Sequence, residues 1–352
     1  MMMSDRENFF RTVKFLHPDC VRSNMIISDA MWACYKTDLE RVVLRHPTVF
    51  PHYKTGTYDF NKMNFSFDTP DNNYKTDPWG CMWHYPLRYM DGVVVSHPLS
   101  DMDTFDAYVP PESPVPDLTE EEWAAEIKSV NEQKANGSLA ATYIDHGFMF
   151  LRHTYLRGFD NAMEDYALHP ENVEKIYAMA EKYYMKFVQF HIKRGTDFVM
   201  FADDLGTQTA TIISPEMFRR YLKPAYARLM GPCKKAGIIV GLHSDGKTLD
   251  ILEDQVAAGV DVVNPQDFCN GIDELARRIK GKACIQLDID RQTVLPYGTP
   301  KDIDDLIREE IEKLGAPEGG LILVCGLYPP TPPENVEALA IAIEKYRTMW
   351  TE

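Results

Sequence analysis

Five short apolar runs in the second half of this 352-residue sequence each close on polar side chains, and those closing residues are the ones equipped for chemistry. They are Asp203 and Asp204 after DFVMFA, His243 with Ser244 and Asp245 after GIIVGL, Asn264 and Gln266 after GVDVV, Asp288 and Asp290 after KACIQL, and Cys325 within GGLILVCGL. One imidazole, one thiol and several carboxylates form the donor set that zinc accepts at a catalytic site with one coordination position open. Each residue also has a plainer role. A histidine after an apolar strand is often a satisfied structural one, and a strand-end cysteine is usually a buried thiol. Acidic residues there commonly cap the next helix, Asp245 before Gly246 suits a turn, and Asp203-Asp204 can orient a loop through backbone N–H groups. His243 and Cys325 end different strands, so only a fold that gathers strand ends at one mouth makes them a single site.

The spacing of the runs points to such a fold. The runs at 197–204, 237–246, 259–266, 282–290 and 319–327 alternate with helical stretches, which is the signature of repeated βα units and a parallel sheet. Ser214-Pro215-Glu216, Thr299-Pro300 and Pro333-Glu334 are helix starts, each with a proline suited to the first turn. The runs lack both the Gly-x-Gly-x-x-Gly turn of dinucleotide folds and the Gly-Lys-Ser/Thr of phosphate loops. A (β/α)8 TIM barrel is therefore expected, with its active site at the C-terminal ends of the strands. Upstream, 141–150 reads as a strand and 169–195 as a long amphipathic helix, while the earliest strands have no clear pattern. Residues 50–115, rich in Tyr, Trp, Asn, Asp and Pro, read as a β-hairpin-bearing insertion that a stiff Pro-rich segment at 109–116 joins to the rest. The division expected is an N-terminal helical and β-hairpin extension, 1–116, that caps the barrel and partly contributes to it, followed by the barrel proper at 117–352.

Composition narrows the function classes. Lys plus Arg 37 against Asp plus Glu 53 gives a net charge of -16, which repels nucleic acid and anionic lipid. A hydrophobic content of 45% with 11% aromatic residues suffices for a full core. No apolar run approaches the ~20 residues of a membrane span, and charges interrupt the N-terminus where a signal peptide would be apolar, so a cytoplasmic protein is expected. Seven dispersed cysteines without a CxxC pair argue against a disulfide framework.

The sequence resembles the uroporphyrinogen decarboxylase superfamily, and within it the corrinoid-dependent methyltransferases, over roughly residues 77–347. The likeness rests on Asp77-Pro78-Trp79-Gly80-Cys81, on FADDLGTQTATIISPEMFRRYLKPAY, on GLHSDG and GVDVVNPQ, and on Cys325 followed by TPPENVEAL. In the zinc methyltransferases of this superfamily a His-x-Cys pair ends one strand and a second Cys ends a later one. His243 matches that histidine and Cys325, 82 residues on, the distant cysteine, while Asp245 stands where the middle cysteine would be. The resemblance thus implies zinc held by His243, Asp245 and Cys325, with a harder and more Lewis-acidic set than the family's thiolates. It implies methyl transfer from a small methylated donor, an aryl methyl ether by likeness to O-demethylases, to the cobalt of a corrinoid (cobalamin) carried by a partner protein. Asp203 or Asp204 would position the substrate or protonate the departing oxygen. Trp79, Trp83, Tyr85, Gln208, Gln266 and Tyr328 would surround the substrate. Cofactor-free decarboxylation is the weaker alternative, because the arginines before residue 50 are scattered rather than gathered for a polyanionic substrate. A non-catalytic ligand-binding member of the fold is the other. The sequence leaves open whether two copies pair as a homodimer.

Overall fold

Successive side chains of a β-strand point to opposite faces, and here the two faces build two different cores. The computed structural model describes residues 3–112, 114–144 and 147–350. Its strands in chain order are β1 (Arg22–Ile27), β2 (Asn73–Thr76), β3 (Met82–Tyr85), β4 (Val93–Ser96), β5 (Ala141–Tyr143), β6 (Phe198–Ala202), β7 (Ile239–His243), β8 (Val262–Asn264), β9 (Cys284–Asp288) and β10 (Leu321–Leu327). Seven of them form one parallel sheet in the order β1-β10-β9-β8-β7-β6-β5, and β2-β3-β4 form a separate antiparallel sheet. The architecture is the α/β barrel expected. Among the described residues it has seven parallel strands, and no ladder joins β1 to β5.

Phe198, Met200, Ile239, Val262, Cys284 and Ile322 share an inner core, which means the sheet curls until its inward side chains meet. Helix α1 (Asp5–Lys14) seals the N-terminal end of that interior with Phe9 and Val13, its start fixed by the Ser4 cap on the Glu7 amide. The outward residues, among them Val199, Val240, Leu242, Ile285, Leu287, Leu321 and Leu323, pack against the surrounding helices in the larger core. At the other end the interior stays hollow. Ile26 and Tyr143, on the inner face of the two edge strands, are both 54% exposed.

The three proline-marked starts form as expected, with Ser214 and Thr299 capping their helices through their side chains. The long helix expected at 169–195 is α6 below. The segment 141–150 is not one strand. β5 stops at Tyr143, Gly147 takes a left-handed φ of 110°, and a helix starts at Met149; residues 145 and 146 lie outside the described residues. Before β5 come α2 (Asp29–Arg45) and α3 (Glu120–Ala135), and after it α4 (Met149–Arg157), α5 (Phe159–Leu168) and α6 (Pro170–Arg194). No helix among the described residues is long and apolar enough to cross a membrane.

The cap is tied down by one buried ionic network. Asp165 receives Arg157 at 2.6 Å, His153 at 3.1 Å and Asn172 at 2.8 Å. The same Arg157 donates to the carbonyls of Leu99 and Ser100 at 2.6 and 2.8 Å, joining α4 and α5 to the segment after β4.

Candidate active site

The inner pleat of β6 and β7 delivers Asp204, His243 and Asp245 to the C-terminal mouth. His243 Nε2 lies 3.6 Å from Asp204 Oδ1 and 3.5 Å from Asp245 Oδ1. Two glycines make the approach possible: Gly246, at φ 80°, and Gly206 bring the loops after β6 and β7 so close that a Cβ at Gly246 would meet the Gly206 backbone at 2.3 Å. The loops then bond to each other, Asp245 N–H donating to Asp204 Oδ1 at 3.0 Å and Lys247 N–H to the Thr207 carbonyl at 2.7 Å.

Neighbouring strands orient these groups. The Asn264 amide nitrogen donates to the Gln286 carbonyl at 2.6 Å, which turns its oxygen to His243 Nδ1 at 2.7 Å. That oxygen needs a donor, so Nδ1 carries the proton and Nε2 presents its lone pair to the mouth. Gln266 spans the next gap, accepting from Gly246 N–H at 2.8 Å and donating to Asp245 Oδ1 at 2.9 Å. Arg291 donates to the same oxygen at 2.8 Å, lies 3.4 Å from Asp288 Oδ2 and sits 5.9 Å from the centre of the Tyr328 ring. Asp288 is buried and its carboxyl is pushed up by desolvation.

Other expected site residues lie elsewhere. Asp203 is on the outer pleat, fully buried, and accepts from the amides of Phe150 and Leu151 at 2.7 and 2.8 Å and from the Tyr226 hydroxyl at 2.7 Å. Burial pushes its carboxyl up to about 7 in spite of those donors. It holds the start of α4, and of the two expected acidic residues Asp204 is the one the structure brings to His243. Cys325 is not among the residues whose ligand atoms the structure gathers around His243. It alternates with Ile322 of the inner core and packs with Leu321, Leu323 and Leu327 in the outer one, its sulfur nearest the carbonyls of Gly326 and Ile289 at 3.6 and 4.0 Å. The candidate metal group among the described residues is Asp204, His243 and Asp245, and the Cys325 thiol, raised by burial and by the charge of Asp288, stays within electrostatic reach of Asp288 and Arg291. Asp290 accepts the amides of Gln292, Thr293 and Val294 and shapes the turn after β9.

The aromatic residues divide. Trp79, Trp83 and Tyr85 line a cavity of about 510 Å³, together with Tyr143, Tyr183 and Arg152. Tyr328 stands with Arg291 instead, and Gln208 is exposed, accepting from the Cys269 thiol at 3.3 Å. Tyr155 links cavity and cluster: its ring meets Trp83 edge-on at 4.9 Å, and its hydroxyl is raised by burial and by the charge of Asp204. Arg152, Tyr155 and Arg291 were missed from sequence. Arg291 had a signal, a cation three residues after Asp288. Arg152 and Tyr155 were hidden by reading the start of α4 as strand.

The model of the uroporphyrinogen decarboxylase (URO-D) family matches residues 90–346. The chain belongs to this family. Uroporphyrinogen decarboxylases of Thermus thermophilus are 32% and 31% identical to it over 143 residues, 38% of this chain and 38% of theirs. The methylcobamide:CoM methyltransferase MtaA of Methanosarcina barkeri is 27% identical over 158 residues, 44% of this chain and 43% of its own. The chain thus spans less than half the length of the curated relatives it matches. A methyltransferase from Methanosarcina mazei shares the fold over 98% of this chain and 99% of its own, with a TM-score of 0.65 at 17% identity.

The resemblance to the family's methyltransferases implies zinc, and the spacing of these residues bears on it. Tetrahedral bonds of roughly 2.0–2.2 Å place ligand atoms about 3.3–3.6 Å apart. The two His243 distances, 3.5 and 3.6 Å, meet that spacing, and the locked Nδ1 leaves the correct nitrogen to bind. The donor set fits a divalent metal, with oxygen in place of both thiolates.

Proposed function

We propose that this member of the uroporphyrinogen decarboxylase family is a zinc-dependent methyltransferase that moves a methyl group from a small methylated donor, an aryl methyl ether, to the cobalt of a separate corrinoid protein. The observation that carries the reading is His243, held at Nδ1 by Asn264 with Nε2 turned to two carboxylate oxygens. Asp204, His243 and Asp245 would hold the metal, which when bound withdraws charge from the ether oxygen as its bond to the methyl carbon breaks. Arg291 and Gln266 aim Asp245 by holding one of its oxygens. The Tyr155 hydroxyl, kept protonated at neutral pH by burial and by Asp204, is a proton donor for the departing oxygen. Asp203 keeps α4, and with it Tyr155, in register with β6. The corrinoid must come to the open strand ends, since the reacting atoms have to meet at bonding distance.

The reading is tested by incubating the protein with a methoxyarene and free reduced cobalamin and following methylcobalamin. Turnover should vanish on chelation, return with zinc and be absent in His243→Ala; methylation that persists in the chelated protein would refute it. The Thermus relatives favour a second reading, decarboxylation without a cofactor. Release of carbon dioxide from uroporphyrinogen by the chelated protein would support that one.

A further inference from the structure

We infer that the aromatic cavity beside the His243 cluster binds a planar aromatic carboxylate, with Arg152 receiving its anionic group. The cavity, about 510 Å³, lies in the size range of sites for small organic ligands, roughly 300–1,000 Å³. Its walls include Trp79, Trp83, Tyr85 and Tyr183, flat surfaces suited to stacking or edge contacts with one ring. Arg152 is 6% exposed and lies 4.5 Å from the centre of the Trp79 ring. Space for it exists because residue 147 is glycine, where a Cβ would lie 2.8 Å from its Nη2.

The decisive feature is Nη1 of Arg152, which is buried without a hydrogen-bond partner among the described residues. Asp77 Oδ2 is 3.6 Å away, an ion pair too long for a hydrogen bond, and Asp77 is already committed to the Cys81 amide at 2.9 Å and the Trp83 indole N–H at 3.0 Å. A buried charged donor left unpaired is costly, and a ligand carboxylate would satisfy it with a charge-assisted bond. Lys75, exposed at the rim 5.3 Å from the Tyr85 ring, adds a second cation. Among the described residues two cations, Arg152 and Lys75, and one carboxylate, Asp77, line the cavity, a balance that favours anions over amines. Tyr155, edge-on to Trp83 and with its ring centre 5.6 Å from the Arg152 guanidinium, also feels the charge of Asp204 and so connects the cavity with the cluster.

This inference names the donor class for the reading above and rests on it only for what becomes of the bound ring. Binding is therefore measured apart from turnover, by tryptophan fluorescence and calorimetry with 4-methoxybenzoate, its neutral counterpart 4-methylanisole and 4-methoxybenzylamine. Wild-type protein should bind the carboxylate at least ten-fold more tightly than either of the others. Arg152→Leu should lose ten-fold or more of that affinity, and Lys75→Gln, at an exposed position that leaves folding intact, a few-fold. Equal affinity of the wild type for the neutral compound, or full carboxylate affinity in a folded Arg152→Leu protein, overturns the inference. Selective carboxylate binding without methyl transfer would leave it standing and sink the donor reading; methyl transfer with no preference for the anion would do the reverse.

Discussion

The polar cluster around His243 and the aromatic cavity around Arg152 are neighbours built in opposite ways. The cluster stands on adjacent strands of one sheet, its residues placed by pleat and register and its loops locked backbone to backbone at Gly206 and Gly246. The cavity is assembled from the β2-β3 hairpin, α4 and α6, pieces far apart in the chain that meet only in the folded protein. A site on strand ends inherits the rigidity of the sheet, whereas one assembled from distant segments depends on the contacts that hold those segments together. Asp203 joins the two, since its backbone directly follows β6 and donates to the His243 carbonyl at 3.2 Å while its side chain holds the start of α4.

The comparison breaks most severely at Gly246. Gly246→Ala puts a Cβ against the Gly206 backbone at a positive φ, so it should cost about 3 kcal/mol or more and abolish metal binding, as thermal unfolding and metal analysis would record. Asp165→Asn attacks the other region. It leaves the buried Arg157 guanidinium without its counter-charge and weakens the acceptor of His153, which burial keeps neutral, and urea unfolding should show a loss of about 3 kcal/mol. Affinity of the cavity for aromatic anions should fall while metal content holds, and loss of both together would show that the regions are not separable.

A smaller effect sharpens the link between them. The Asp203 carboxyl is raised to about 7, so the folded state holds this proton more tightly than the unfolded chain, whose Asp titrates near 3.9. Its contribution to stability is complete below pH ~4 and is lost as pH rises through about 7. Asp203→Asn removes the titration and should flatten the decline in urea stability between pH 4 and 7. Asp267, raised to about 6 by burial, acts in the same direction and leaves a residual slope. An unchanged slope in the variant would contradict the assignment.

Much of this was legible in the sequence, for a physical reason. The five runs that became β6 to β10 are strands buried on both faces, which read as continuous apolar stretches, and the polar residues ending them mark the mouth directly. The same continuity hides the pleat. With Leu-Ile-Leu-Val-Cys-Gly-Leu apolar on both faces, nothing in the pattern tells which residues face inward, so the sequence alone does not place Cys325 relative to His243. β1 was not foreseen because Arg22, Ser23 and Asn24 break its pattern, and α4 was missed because its opening residues, Met149, Phe150 and Leu151, are as apolar as a strand. The hairpin-bearing insertion was visible in composition, but the meeting of Trp79 and Trp83 with Arg152 is a tertiary event that no local spacing encodes.

The central claim is that Asp204, His243 and Asp245, on the inner pleat, hold the metal, while Cys325 belongs to the outer core. Zinc per chain, measured by mass spectrometry on untagged protein with His243→Ala and Cys325→Ala alongside, tests it most directly. The account predicts about one zinc in the wild type, none in His243→Ala and an undiminished content in Cys325→Ala; zinc lost with Cys325, or absent from the wild type, would contradict it.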